Sequence, residues 1–335
     1  MLRGRPWSLG YFADRRMRRA VRGKLAENQF DLIFVYSSSM AQYLESTNSI
    51  PKILDFVDSD ACKWGQYASA NRPPAKWVYS YEARQLQKYE IRMLDVFDYC
   101  AFVSQREADY LPDEAKKRLL FIQNGIDLKY YQPASITAAS RDIVFTGAMD
   151  YFPNVDAVTY FARDIFPIIR RTFPDARFVI VGSRPGPRVL KLGALPGVIV
   201  TGTVPDVRPY LAAARVGVTP LRISQGIQNK VLEALAVGLP VVASPAAAAA
   251  LSQLKDVPLR IARDTASFVR FVEDYLASPP LTAEQVRCCR QQLQTHYDWA
   301  TNMQEFEKTM ESLVADANSS RAGRVRSGIL SGTLS

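Results

Sequence analysis

The 335 residues are 48% hydrophobic and 22% charged, which supplies a buried core for about two domains and excludes a disordered chain. The formal charge of +9 is uneven: residues 1–24 hold eight Lys/Arg against Asp14 alone, the tail from Ala317 holds Arg321, Arg324 and Arg326 with no acid, and the rest sums to −1. No run approaches the roughly 18–20 apolar residues of a membrane span, and Cys62, Cys100, Cys288 and Cys289 with a single histidine, His296, exclude a disulfide framework and a His-rich metal site.

The first predicted element is a basic helix. Arg15, Arg16, Arg18, Arg19, Arg22 and Lys24 accompany Met17, Ala20, Val21 and Leu25 on its apolar side. Such a face suits anionic lipid, nucleic acid or a polyanionic substrate, and it equally suits a solvated helix. Apolar strands follow at 31–36, 52–57, 99–103 and 119–122, with longer stretches between them. Residues 134–140 read as a polar linker. A second set of strands then runs at 142–146, 177–181, 198–200, 216–219 and 240–243. Continuous apolar strands separated by helices predict parallel sheets covered on both faces. Asn154 is read as the N-cap of a helix over 155–166. Amphipathic helices are expected at 267–277 and 298–314, and the Ser/Gly/Arg-rich residues 317–335 are expected to be disordered. Gly147, Gly182 and Gly202 close strands of the second set, at the sheet edge where open α/β sheets bind ligands.

The stretch Ser224 to Val242 carries the most chemistry. Gly226 permits a tight turn, a helix follows, Gly238 ends it and Pro240 prevents its continuation. The first amides of that helix lack internal partners, so its N-terminus suits phosphate. Lys230 sits in the first turn, where helix polarity favours an acid. A cation is easier to accommodate there when an anion binds beside it. Glu233, one turn on, can accept hydrogen bonds from ribose hydroxyls, although Lys230 and Glu233 also fit a surface i,i+3 pair. Asp58 and Asp60 follow a strand of the first set, and two roles stay open for them: facing a ligand at the sheet edge, or capping the next helix.

With these residues in place, the sequence resembles the retaining glycosyltransferases of family 4, and within them the exopolysaccharide sugar transferases that accompany exosortase systems. The resemblance rests on Ser37 to Met40, Asp55 to Trp64 with Tyr67 and Ala68, Asn124 to Asp127, Gly202 to Asp206 and Gly226 to Val242. It implies an α/β protein of the GT-B fold, two Rossmann-like domains with parallel sheets facing a central cleft. The first domain would cover 1–133 and the nucleotide-sugar domain 141–297, with the helix at 298–316 returning to the first. It implies a donor site of Gly147, Gly182, Thr203, Val204, Gln225, Gly226, Ile227, Gln228, Asn229, Lys230 and Glu233, with Asp58 and Asp60 catalytic beside Lys230 and Glu233. The family places two glutamates eight residues apart; here the first position is Gln225, an amide that bonds hydroxyls but carries no charge. The Arg and Lys that many members carry after the first glycine are missing, since Ala148 follows Gly147, which leaves Lys230 as their replacement.

The implied substrates are a UDP- or GDP-linked sugar and a glycan or lipid-linked acceptor, with retention of configuration, without a metal cofactor and without nucleic acid. The implied location is cytoplasmic. The six charges of residues 15–24, with Trp7, Tyr11 and Phe12, predict salt-sensitive attachment to the inner membrane face through residues 1–25, the alternative being a helix that simply covers the first domain with its arginines in solvent. Family members begin with a strand, a Gly-rich loop and a helix, whereas the first clear strand here is at Asp31, so the resemblance implies a truncated first domain. Two alternatives follow: a nucleotide-sugar-binding protein without transfer, and a GT-B epimerase, which the lack of histidine in the first domain disfavours.

Overall fold

The structure, a computed structural model, describes residues 4–27, 30–44, 50–113, 115–122, 124–133, 140–224 and 226–330. Most of the linker predicted at 134–140 and the predicted donor residue Gln225 lie outside these described residues. The chain forms two compact units, Met1–Gln123 with Asn302–Ser335, and Asn124–Thr301.

In the first unit the elements run α1 (Trp7–Tyr11), α2 (Arg15–Ala26), β1 (Ile33–Tyr36), α3 (Ser38–Ala41), β2 (Lys52–Asp55), α4 (Asp60–Ala70), α5 (Ala75–Val96), β3 (Tyr99–Phe102) and β4 (Leu119–Phe121). The four strands are parallel in the order β1-β2-β3-β4. Ile53, Leu54, Ala101 and Phe102 are fully buried, as the continuous apolar reading requires. The core gathers Leu54, Phe56, Met93, Phe97 and Phe102, with Phe56 stacked on Phe102 at 4.7 Å between centroids. Asp14 caps α2 through the amides of Arg16 and Met17. The predicted apolar side of this helix is narrower than its pattern: Val21 and Leu25 pack on the core, while Met17 and Ala20 are exposed.

The second unit continues with β5 (Asp142–Thr146), α6 (Phe152–Tyr160), α7 (Phe166–Thr172), β6 (Arg177–Val181), α8 (Pro187–Leu190), β7 (Val198–Gly202), α9 (Arg208–Ala213), β8 (Val216–Thr219), α10 (Asn229–Ala236), β9 (Val241–Ala243), α11 (Pro245–Ala248), β10 (Leu259–Ile261), α12 (Thr265–Ala277) and α13 (Ala283–Tyr297). Its six parallel strands are ordered β10-β9-β8-β5-β6-β7. In chain order that is the doubly wound 3-2-1-4-5-6 arrangement, whose strand order reverses between β5 and β8. Arg177 holds both carboxylate oxygens of Asp142 at 2.6 Å, pinning the entrance of β5 to β6.

Four sequence readings are corrected. The helix read from 155 starts at Phe152 with Tyr151 at its N-cap, because Pro153 fits the first turn; Asn154 is inside the helix and does not cap it. That helix leaves the α form in a π turn over Phe161–Ile165 before α7. Residues 124–133, read as the end of the first domain, group with the second unit, since Ile126 donates its amide to Tyr297 O at 2.7 Å and joins the second core. Finally, α14 (Trp299–Leu330) runs past Asp316, where disorder was expected, and 331–335 lie outside the described residues. From Asn302 onward this helix groups with the first unit, where Phe306 is buried with its ring 5.5 Å from that of Phe34.

Candidate functional site

A cleft of about 480 Å³ lies at the carboxyl edge of the second sheet, where β5, β6 and β7 end, beside the start of α10, the helix that follows β8. It is lined by Gly147, Gly182, Thr203, Val204, Ile227, Gln228, Asn229, Lys230 and Glu233, all predicted, together with Tyr131, Thr146, Val181, Ser183 and Val207. Gly226 stands in the turn ahead of α10 with φ +57°, as a tight turn requires, and does not line the cleft. Asp58 and Asp60 belong to the first unit and are not part of this group.

Glycine is required where β5 and β6 end. A Cβ on Gly182 would stand 1.6 Å from Gly147 O, and one on Gly147 would stand 2.8 Å from Asn154 Nδ2. The two strand ends therefore approach backbone to backbone and leave a floor without side chains. Such a floor lets a ligand reach main-chain groups.

Helix α10 aims its N-terminus into the cleft. Val231, Leu232, Leu235 and Ala236 are buried and fix its orientation, and Gln228 at its N-cap gives no side-chain hydrogen bond to the first turn. Lys230 reaches back over the Phe145 ring, its Nζ 4.7 Å from the centroid and 2.7 Å from Asn154 Oδ1. Asn154 in turn donates from Nδ2 to Ala148 O at 2.9 Å, so its oxygen is committed to the ammonium. Burial lowers the Lys230 ammonium to about 8, with Glu233 pulling in the opposite sense. Burial likewise raises the Glu233 carboxyl, against a hydrogen bond from the Tyr131 hydroxyl and the charge of Lys230. Among the described residues lining the cleft, Lys230 is the only Lys or Arg. An anion entering there meets a desolvated cation and a helix N-terminus together.

The sequence reading did not place Asn154, Phe145 and Tyr131 at the site. Asn154 was visible as a polar residue after a strand-end glycine, but its cap-like position disguised it. Tyr131 is held from outside the cleft. Arg290 donates to Tyr131 O at 2.6 Å, Ala236 O at 2.7 Å and Leu128 O at 2.8 Å, tying residues 128–131 to the C-terminal end of α10. Arg208, paired with Asp206 at 2.6 Å, lies 3.8 Å over the Tyr130 ring and fixes the same segment to the loop after β7. A larger recess of about 1250 Å³ runs along α13, beside Gly238 at the opposite end of α10; it has no strand ends in its lining.

The first unit holds its own polar cluster at the carboxyl edge of its sheet. Ser37 and Val57, just beyond β1 and β2, have φ of +81° and +65°, costly for residues with a Cβ and most of all for a β-branched one. Ser59, not Asp58 or Asp60, caps α4 by accepting from Cys62 N. Ser59 N donates to Glu107 at 2.7 Å, and Ser59 Oγ and Ala61 N donate to Glu90 at 3.0 and 3.1 Å, with the Tyr110 hydroxyl on the same carboxylate. Asp60 accepts from Ser38 Oγ at 2.5 Å and pairs with Lys63. Burial raises the Asp58 carboxyl, Lys63 lowers it, Asp60 raises it again, and a hydrogen bond with Glu107 opposes the rise. Burial pushes Glu90 up to about 7 despite its three donors.

Residues 140–278 match the family of glycosyl transferases group 1. A comparison with curated proteins gives no match. Solved structures with the same fold include a sucrose-phosphate synthase from Thermosynechococcus elongatus, with a TM-score of 0.71 and 17% identity over 90% of this chain and 78% of that one. An alpha,alpha-trehalose 6-phosphate synthase from Burkholderia multivorans follows at 0.63 and 12%, covering 91% and 78%. HepE from Anabaena, solved in complex with UDP, gives 0.60 and 15%, covering 92% and 85%. At these identities the likeness establishes the fold. Residues 140–278 of the second unit thus resemble the group 1 glycosyl transferases, on a chain with the two-sheet α/β architecture of GT-B glycosyltransferases.

Proposed function

We propose that the chain transfers a sugar from a nucleoside diphosphate sugar to a glycan or lipid-linked acceptor in the cytoplasm, with retention, in the synthesis of an exopolysaccharide or another surface glycan. The observation that carries this reading is the Lys230–Asn154 pair at the N-terminus of α10, with Glu233 one turn along. A buried ammonium held by one neutral oxygen is incompletely compensated, and a diphosphate supplies the missing charge. Glu233, aligned by Tyr131, suits the ribose hydroxyls, and the loop at Thr203 and Val204 suits the base. In this reading the bond between the anomeric carbon and the diphosphate oxygen breaks, and the acceptor oxygen bonds to the same face. The departing phosphate oxygen takes the acceptor proton. Lys230 and the helix N-terminus stabilise the charge that develops on the diphosphate. In the first unit, Asp58 and Asp60 are proposed to orient an acceptor hydroxyl; the strained Val57 backbone beside them supports this.

The test is transfer and binding on the purified chain. Calorimetry with UDP and GDP identifies the base, and a product assay follows transfer. Lys230→Ala should lower turnover by about 10²-fold. Unchanged turnover would overturn the role of Lys230, and nucleotide binding with no transfer to any acceptor would leave a binding protein instead.

A further inference from the structure

The recess along α13 is lined by residues of the second unit and, at about 1250 Å³, is larger than the 480 Å³ cleft at the sheet edge. Two segments distant in sequence meet to form its wall. Ile126 donates its amide to Tyr297 O at 2.7 Å and bridges to Asp298, which brings residues 126–133 beside the end of α13. Trp299 lines the recess, 39% exposed, and is seated on Gly125, where a Cβ would stand 2.8 Å from Trp299 Cγ. The aromatic wall is therefore fixed before any ligand arrives.

The cations of this lining are largely compensated. Arg290 is committed to the main-chain oxygens of Leu128, Tyr131 and Ala236, and Arg287 pairs with Glu284 at 2.7 Å. Hydrogen-bonding capacity, in contrast, is left over. Gln291 and Gln294 lie on one face of α13, and among the described residues their side-chain amides have no protein partner. Gln132 donates to Leu128 O and Lys129 O and keeps its Oε1. Asp127 uses Oδ1 on the amides of Lys129 and Tyr130, and Asp298 uses Oδ2 on Thr301, so each keeps a second oxygen.

We infer that the recess binds a neutral oligosaccharide, separately from the cleft that holds Lys230. Amides donate and accept at once and carboxylates accept, which suits the adjacent hydroxyls of a sugar ring. The indole of Trp299 suits the C–H face of the same ring, with its N–H left for a hydroxyl. A sulfated or phosphorylated ligand would meet two carboxylates and cations already paired, and an apolar ligand would cover the amides and acids without partners. The site also touches the cleft through one segment. Lys129 and Gln132 line the recess, whereas Tyr131 lines the cleft and its hydroxyl bonds to Glu233. A glycan seated in the recess fixes the segment that carries Tyr131, so glycan and nucleotide should change each other's affinity by the same factor. That coupling rests on the function proposed above; the glycan site does not.

The test is a screen of the full chain on an array of neutral gluco-, galacto-, manno- and N-acetylglucosamine oligosaccharides beside uronate and sulfated ones. The tightest neutral oligosaccharide is then titrated while tryptophan emission is read. A saturable emission change is expected, with a preference for neutral over sulfated chains that persists in high salt. Trp299→Phe should remove the emission change. Gln291→Leu with Gln294→Leu, at two exposed positions, should keep the fold and weaken binding by about tenfold. Saturating oligosaccharide should shift the calorimetric UDP affinity severalfold in the parent chain and not in the double variant. No binding of any neutral oligosaccharide, tighter binding of sulfated ones, or a double variant that binds as the parent would overturn the site. UDP affinity unmoved by bound glycan would overturn the coupling. Glycan binding without any UDP binding would overturn the function proposed above and not this site.

Discussion

Lys230 is costly to the unliganded fold, and the proposed function makes it useful to the liganded one. Its ammonium is lowered to about 8 from an ordinary value near 10.5, so between these values the unfolded chain binds more protons than the folded chain. Stability therefore rises as pH climbs through that window, and below it the folded state carries the full cost of a charged, desolvated amine. Lys230→Met should raise the unliganded stability at pH 7 by about 1–3 kcal/mol, read as a higher melting temperature, while abolishing stabilisation by UDP. Diphosphate affinity of the parent chain should weaken as pH passes above 8 and the cation is lost; an affinity flat from pH 7 to 9.5 would contradict this. Glu90 has the opposite sign. Its carboxyl is raised to about 7, so its contribution is full below the ordinary value near 4.5 and is lost as pH rises through 7. Urea midpoints of the first unit should fall between pH 5 and 8, and Glu90→Gln should flatten that fall.

At the scale of elements, strands were the most legible part of the sequence. All nine predicted strands exist, because each contains an uninterrupted apolar run, whether buried as in β5 and β8 or partly exposed as in β1 and β4. The strand Leu259–Ile261 is interrupted by Arg260, which breaks the apolar run that marks the others, including the equally short edge strand Leu119–Phe121. Helices α4, α5 and α13 carry broken apolar patterns and were not delimited from sequence, although α13 supplies Arg290 and so positions Tyr131. The cleft was legible where one segment holds its chemistry, from Ile227 to Glu233. Residues joined to it only by tertiary contact, Asn154 and Tyr131, were not, since no local spacing links position 154 to 230. The meeting of β5 and β6 gives this scale its test. Gly182→Ala places a carbon against Gly147 O and forces the cleft floor apart. It should cost about 1–3 kcal/mol in a denaturation experiment and weaken nucleotide binding beyond what that loss explains.

The molecule as a whole carries two separate cores. Phe145, Phe161, Phe166 and Phe178 anchor that of the second unit, and Leu54, Phe56, Met93 and Phe102 that of the first. Separate cores permit separate cooperative transitions. Scanning calorimetry should resolve two, with UDP raising only the transition of the unit that contains Lys230. At a hundred times its dissociation constant the nucleotide should add about 2.7 kcal/mol to that unit. A single transition, or a shift in both, would show that the units unfold as one body.

The depressed amine of Lys230 has a chemical consequence beyond binding. Near pH 8 about half of it is a neutral primary amine, a nucleophile, while ordinary surface lysines remain almost entirely protonated. Lys52 is also depressed but is buried in β2, out of reach of a reagent. The cleft thus contains a naturally activated handle. If the proposed function holds, a nucleotide bearing an aldehyde or an activated ester on its phosphate end should form a covalent adduct at Lys230, tagging the chain in a mixture of proteins and blocking the cleft.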